Sequence, residues 1–176
     1  MKTNLLLTTF LLTIVLACPC PSAAKETQSC NDNIIATSPK ASFIFHDDGT
    51  VTQKTTGLVW MRCALGQDWD GKTCSGTPSA FSWAEALKAS VLQDFAGSRD
   101  WRLPNVNELE SIVEERCVSP ALNAEAFPST PGEFFWTSSP YAGQASGAWS
   151  VDFGYGTVTA SDKTAKIYVR LVRDSE

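Results

Sequence analysis

Six cysteines and a single histidine are the residues of this 176-residue chain best equipped for chemistry. Cys18 and Cys20 fall at the end of an apolar N-terminal run; Cys30, Cys63, Cys74 and Cys117 are spread through the body. Those four include no Cys-x-x-Cys pair, and His46 is not spaced to complete a zinc set with them. In an oxidising compartment they are expected to pair as disulfides, and three pairings are possible. Cys63 and Cys74 flank a polar, Gly-containing stretch, LGQDWDGKT, so a bridge between them would staple that loop. Cys30 with Cys117 would then tie the N-terminal extension to the end of a helix. A bridged sulfur offers no thiolate, so cysteine catalysis is not expected. His46-Asp47 has the composition of a base with its orienting carboxylate. Adjacent strand residues point to opposite faces, however, which sets the two apart. No catalytic residue, and so no enzyme, is expected.

The remaining polar groups suit binding better than turnover. Asp47 with Asp48, or Asp68 with Asp70, could hold calcium weakly, although solvated turn acids explain both pairs. No cofactor and no dedicated metal site are expected. Trp101-Arg102 reads as a core indole beside a buried ion pair, and Trp149 shares a face with Val151 and Phe153 and reads as core. Tyr141, Asp152, Tyr155 and Arg170 are different. On the opposite faces or in loops, they offer aromatic rings and hydrogen-bonding groups with no evident packing duty. Stacking combined with directed polar contacts is how small-ligand sites grip their targets, so these four are the candidate ligand-binding set. Asp152 with Arg170 could equally be a cross-strand structural pair.

The elements that must position these groups follow from pattern. Residues 1–24 read as a signal peptide, with Lys2 ahead of an apolar run from Leu5 to Ala17. At about thirteen residues that run is short of the roughly 18–20 needed to span a bilayer. Cleavage after Ser22-Ala23-Ala24 leaves an even set of four cysteines. Val15-Leu16-Ala17-Cys18 also fits a loose lipoprotein box, and lipidation at Cys18 would leave an odd thiol. The chain is therefore expected to be exported, to the periplasm, the cell surface or the medium, and to touch a membrane only if Cys18 carries lipid. Residues 25–41 lack periodicity and read as a linker; 42–176 form one domain.

Within that domain two β-prone runs flank Asp48-Gly49, a hairpin signal because the turn needs positive φ. A turn at Lys54 to Gly57 and a run from Leu58 to Met61 extend it to a meander. Ser82 with Glu85 is a capping box, and Trp83, Leu87, Val91 and Phe95 recur every fourth residue up to Gly97. Asn105 with Glu108 repeats the device, predicting a helix to about Glu115 with Val106, Leu109, Ile112 and Val113 buried. The last third alternates as strands: Phe134 to Ser138, Ala148 to Phe153, Thr157 to Ala160, and Ile167 to Leu171 with one buried face. Strands, two helices, then strands is an α+β order. Lys plus Arg total 14 against 19 Asp plus Glu, a net charge of −5. That balance disfavours nucleic acid and sulfated polysaccharide, which are held mainly by counterion release.

Five ordered strings, DGTVTQKTTGLVWMRC, DWRLPNVNELESIV, FFWTSSPY, AWSVDFGYGTV and YVRLVR, resemble the C-terminal domain of the Legionella collagen-like adhesin. The resemblance runs from about Phe43 to Arg173. It implies a C-type-lectin-like α+β fold of short antiparallel strands around two helices. It also implies an extracellular binding role, in adhesion or recognition of a cell-surface glycan or protein. An envelope-anchored structural or assembly component is the alternative role.

Overall fold

The structure, a computed structural model, describes residues 27–175; the signal segment, both cleavage sites and Cys18 lie outside the described residues. In chain order the elements are β1 (Ser29–Cys30), β2 (Phe43–Phe45), β3 (Thr50–Gln53), β4 (Val59–Met61), β5 (Asp68–Trp69) and β6 (Cys74–Ser75). Helices α1 (Trp83–Ser90) and α2 (Val106–Glu110) follow, then β7 (Cys117–Val118), β8 (Phe134–Pro140), β9 (Gly147–Asp152), β10 (Thr157–Asp162) and β11 (Val172–Arg173). The class is α+β, as expected.

The first hairpin forms where the sequence places it. The Asp48 carboxylate accepts from the Thr50 N–H at 2.9 Å and its hydroxyl at 2.7 Å, while Gly49 adopts a φ of +85°. This folds β2 onto β3 with Phe45 opposite Val51. β4 and then β11 complete an antiparallel sheet ordered β11-β4-β3-β2. A second sheet, β10-β9-β8, comes from the C-terminal third. Between and around the sheets lie two hydrophobic clusters. One gathers Trp60, Leu109, Ile112, Phe127, Phe135 and Phe153; the other gathers Trp101, Leu103, Trp136, Val169 and Leu171. Burying these aromatic and aliphatic bodies, at about 25 cal/mol per Å² of apolar surface, is the main stabilising contribution. Indole N–H groups of Trp69, Trp83, Trp101 and Trp136 donate to the carbonyls of Asp47, Thr137, Phe95 and Phe81, which fixes the orientation of the buried rings of Trp101 and Trp136 and of the half-buried rings of Trp69 and Trp83.

Two disulfides clamp the body, Cys30–Cys117 and Cys63–Cys74. Such bridges belong to an oxidising, extracytoplasmic setting. Cys30–Cys117 lies on the β1–β7 pair, and the segment after β1 is tied down further. Glu114, 2% exposed, accepts from the backbone N–H groups of Thr37 and Ser38 at 3.0 Å each.

Three expectations need correction. The helix predicted from Ser82 toward Gly97 stops at Ser90. Phe95 and Ser98 instead exchange backbone hydrogen bonds around Ala96 and Gly97, both at positive φ (51° and 72°), so Gly97 serves a tight reverse turn. Val91 is consequently 67% exposed, while Phe95 turns back onto Trp101. The second helix ends at Glu110; Ile112 and Val113 are buried as predicted, but in irregular chain that bridges to Leu122. Finally, Ile167 to Leu171 is not a strand with one buried face. It threads between the two sheets, its backbone bonded to Leu65 and Met61 on one side and to Phe134 and Trp136 on the other. Val169, Arg170 and Leu171 are all fully buried.

Candidate functional site

That threading removes Arg170 from the candidate binding set. Its guanidinium is fully buried, lying 4.7 Å from the Phe127 ring and 5.8 Å from the Phe135 ring. Nη1 donates to the Met61 carbonyl at 2.8 Å and also to that of Arg62, and Nη2 donates to the Thr130 hydroxyl at 2.6 Å. Burial pushes its pKa down to about 9, which still leaves it charged at neutral pH. Nor does Arg170 pair with Asp152, whose carboxylate caps the next turn by accepting from the Gly154 N–H at 2.7 Å. The alternation of YVRLVR carries no sign of this, because a cation hydrogen-bonded to buried carbonyls has the same sequence pattern as one facing water.

The other three candidates do not converge. Tyr141 follows the end of β8 and packs edge-on against Trp149, ring centroids 4.9 Å apart. Trp149 is therefore half-buried beside that ring, and the expectation of a core position is corrected to a surface stack. Tyr155 projects from the turn between β9 and β10 with 74% of its surface exposed. Tyr141 and Tyr155 thus stand at opposite ends of β9, whose six residues span roughly 20 Å at 3.4 Å per residue. One small ligand cannot bridge them.

The remaining motifs resolve structurally. His46 is exposed and its Nε2 lies 2.8 Å from the Thr52 hydroxyl, with no bond to Asp47. Asp48 and Asp70 each spend a carboxylate oxygen on turn donors, Thr50 for the first and Lys72 and Thr73 for the second. Among the described residues no three His, Cys, Asp or Glu side chains are grouped to hold a metal ion. Trp101 is core at 1% exposure, and Arg102 forms its ion pair with Glu108 at 2.7 Å, at the edge of the protein rather than within it.

A groove of about 600 Å³ collects the polar groups that sequence reasoning missed. One wall is the end of the Cys63–Cys74 loop with Gly76, Thr77 and Pro78; the other is Ser129 to Glu133, and Ser119 completes the lining. Gln67 ties the walls together, accepting from the Ala64 N–H at 3.2 Å and donating to the Ser129 carbonyl at 3.3 Å. The Thr73 and Ser129 hydroxyls meet at 3.3 Å. Beneath, the bond from Arg170 to Thr130 fastens the groove wall to the core.

Two of the lining residues hold unusual backbone. Ser119 and Ser129 adopt φ values of 52° and 54°, a left-handed conformation that costs a non-glycine residue of order 1 kcal/mol. Such geometry concentrates where function constrains the chain. Gly132 leaves little room for a side chain, since a Cβ there would lie 3.3 Å from both Gly154 Cα and Ser119 Cα. Among the described residues the hydroxyls of Thr77 and Ser119 and the carboxylate of Glu133 make no hydrogen bond within the protein; Thr77 and Glu133 are exposed and Ser119 half-buried, so these groups face solvent that a ligand can displace. No Lys or Arg lines it. Hydroxyls, amide and one carboxylate over proline and disulfide surface form a binding chemistry for an uncharged, hydroxyl-rich ligand. In sequence the only trace is two short turn-rich strings, Gly76-Thr77-Pro78 and Thr130-Pro131-Gly132, far apart in the chain.

A family model described as the Lcl C-terminal domain matches residues 49–173. A comparison with curated proteins found no match.

Proposed function

The chain belongs to the Lcl C-terminal domain family, and from that membership we propose that it is an adhesin-related, non-catalytic binding module that takes a neutral surface glycan in the groove between the bridged loop and Ser129–Glu133. The observation that carries this reading is the groove itself, lined by the solvent-facing hydroxyls of Thr77 and Ser119 and the Glu133 carboxylate, which can exchange water for sugar hydroxyls, with backbone held in costly conformations at Ser119 and Ser129. Small antiparallel sheets around two short helices, stapled by two bridges, fit a C-type-lectin-like scaffold, in which irregular loops carry recognition and the core only holds them. The acidic balance and the lack of a basic lining residue favour hydroxyl recognition over sulfate recognition.

A glycan array probed with the oxidised protein, with calcium and with a chelator, tests the proposal. Binding to uncharged glycans in both conditions supports it. Binding confined to sulfated glycans contradicts the groove assignment, and binding to none moves the ligand to the protein class.

A further inference from the structure

The edge strand β10 carries a second and separate surface. It pairs with β9 along its whole length, Thr157 opposite Asp152 through Asp162 opposite Gly147. Among the described residues nothing pairs with its other side. The opposite edge of the same sheet is covered, because β8 bonds to Tyr168 through the Phe134 carbonyl and the Trp136 N–H. The outer strand of the other sheet, β2, has only three residues. At six residues, β10 is the long open edge of the molecule as described.

Soluble proteins blunt such edges with lysine, proline, a bulge or a covering loop. The sequence of β10, TVTASD, uses no lysine and no proline, and its register with β9 is unbroken. The Ser150 hydroxyl donates to the Thr159 carbonyl, which turns the Thr159 main chain toward β9. In an antiparallel ladder the N–H and C=O of one residue point to the same side and alternate along the strand. Val158 and Ala160 therefore aim their main-chain donors and acceptors outward. Two residues so spaced match a second copy of themselves.

We propose that β10 is a self-association edge, at which two copies of this chain join antiparallel about a twofold axis through Thr159. In that register Val158 of each copy faces Ala160 of the other, and the two pairs exchange four N–H···O=C bonds. Thr159 meets Thr159 at the axis, a favourable cross-strand pair. The single charge of the strand, Asp162, falls opposite Gly156 of the other copy, so no like charges are opposed. A parallel pairing would instead set Asp162 against Asp162. Two three-stranded sheets become one of six strands, an isologous interface of the commonest symmetry. Because β10 contributes nothing to the groove lining, both copies keep their binding grooves.

Sedimentation of the oxidised protein over a wide concentration range provides the test, with two kinds of variant. Ala160→Pro removes only outward-facing N–H groups, which proline tolerates on a sheet edge. Thr159→Lys and Thr159→Glu place like charges at the axis in each homodimer and opposite charges when mixed. Expected are a monomer–dimer equilibrium for the unaltered chain and a dissociation constant raised about tenfold or more by Ala160→Pro, with an unchanged melting transition at concentrations where both proteins are monomeric. Each Thr159 variant alone should be monomeric, and the two mixed should form a heterodimer. A monomer at every concentration for the unaltered chain, or self-association that Ala160→Pro leaves intact, overturns the proposal.

Discussion

Burial of Arg170 sets a full positive charge against Phe127 and Phe135, with the carbonyls of Met61 and Arg62 and the Thr130 hydroxyl as its acceptors. Desolvating a cation is expensive, and the cation–π contacts and acceptor bonds offset that cost only while all remain in place. The Arg170→Ala variant empties the site and leaves carbonyls unpaired, so it should lower unfolding free energy by roughly 3–5 kcal/mol in a denaturant titration. A loss under about 1 kcal/mol would show that the network does not hold the core together. Gly49 offers a second test at this scale. A Cβ there would lie 2.7 Å from Trp69 Cγ, and φ is already +85°. Trp69 is also stacked by Arg62, whose Cζ is 4.1 Å from the ring, and anchors the bridged loop to the first hairpin. Gly49→Ala should therefore destabilise by about 1–2 kcal/mol and shift Trp69 fluorescence. An unchanged emission spectrum would contradict the assigned contact.

Both helices begin with a carboxylate that closes a capping box, and both carboxylates are held below their ordinary range. In α1 the Lys166 ammonium and the Ser82 N–H and hydroxyl hold Glu85 at about 2. In α2 burial alone would raise the pKa of Glu108, but bonds from Arg102 and the Asn105 N–H lower it on balance. A folded-state pKa below the unfolded value gives a contribution fully present above about 4.5. It is lost as pH falls through the folded-state value. Melting temperature should accordingly be flat from pH 7 to about 5 and fall progressively toward pH 2. A transition unchanged between pH 4.5 and 2 would contradict the capping account. These boxes, and the Asp48-Gly49 turn, were legible because each depends on residues no more than three apart. The helix lengths were not legible. Val91 and Phe95 match a helical period, yet the Phe95–Trp101 contact and the turn at Ala96-Gly97 override it. The groove was invisible for a stronger reason: its walls come from residues 67–78 and 119–133, and only tertiary packing brings them together.

For the molecule as a whole, the two bridges do unequal work. Cys63 and Cys74 are separated by 11 positions and Cys30 and Cys117 by 87. In the chain-entropy view, closing the shorter loop contributes about 3 kcal/mol and the longer about 4–5 kcal/mol. Replacing Cys30 and Cys117 by serine should therefore cost more stability than replacing Cys63 and Cys74. Replacing the shorter bridge should have the greater effect on glycan binding, because its loop supplies one wall of the proposed groove; equal effects of the two replacements on binding would contradict that division. The family, the class and the pairing of sulfurs were legible from motif order and cysteine spacing, whereas the position of the site was not. Whether this groove is where the molecule meets its ligand is decided by one comparison. Affinity for the glycan selected on the array is measured by titration calorimetry for the unaltered chain and for Thr77→Trp, which puts an indole into an exposed position of the groove. Binding should be lost in Thr77→Trp while its melting transition is preserved. Equal affinity in the two proteins would place the ligand elsewhere.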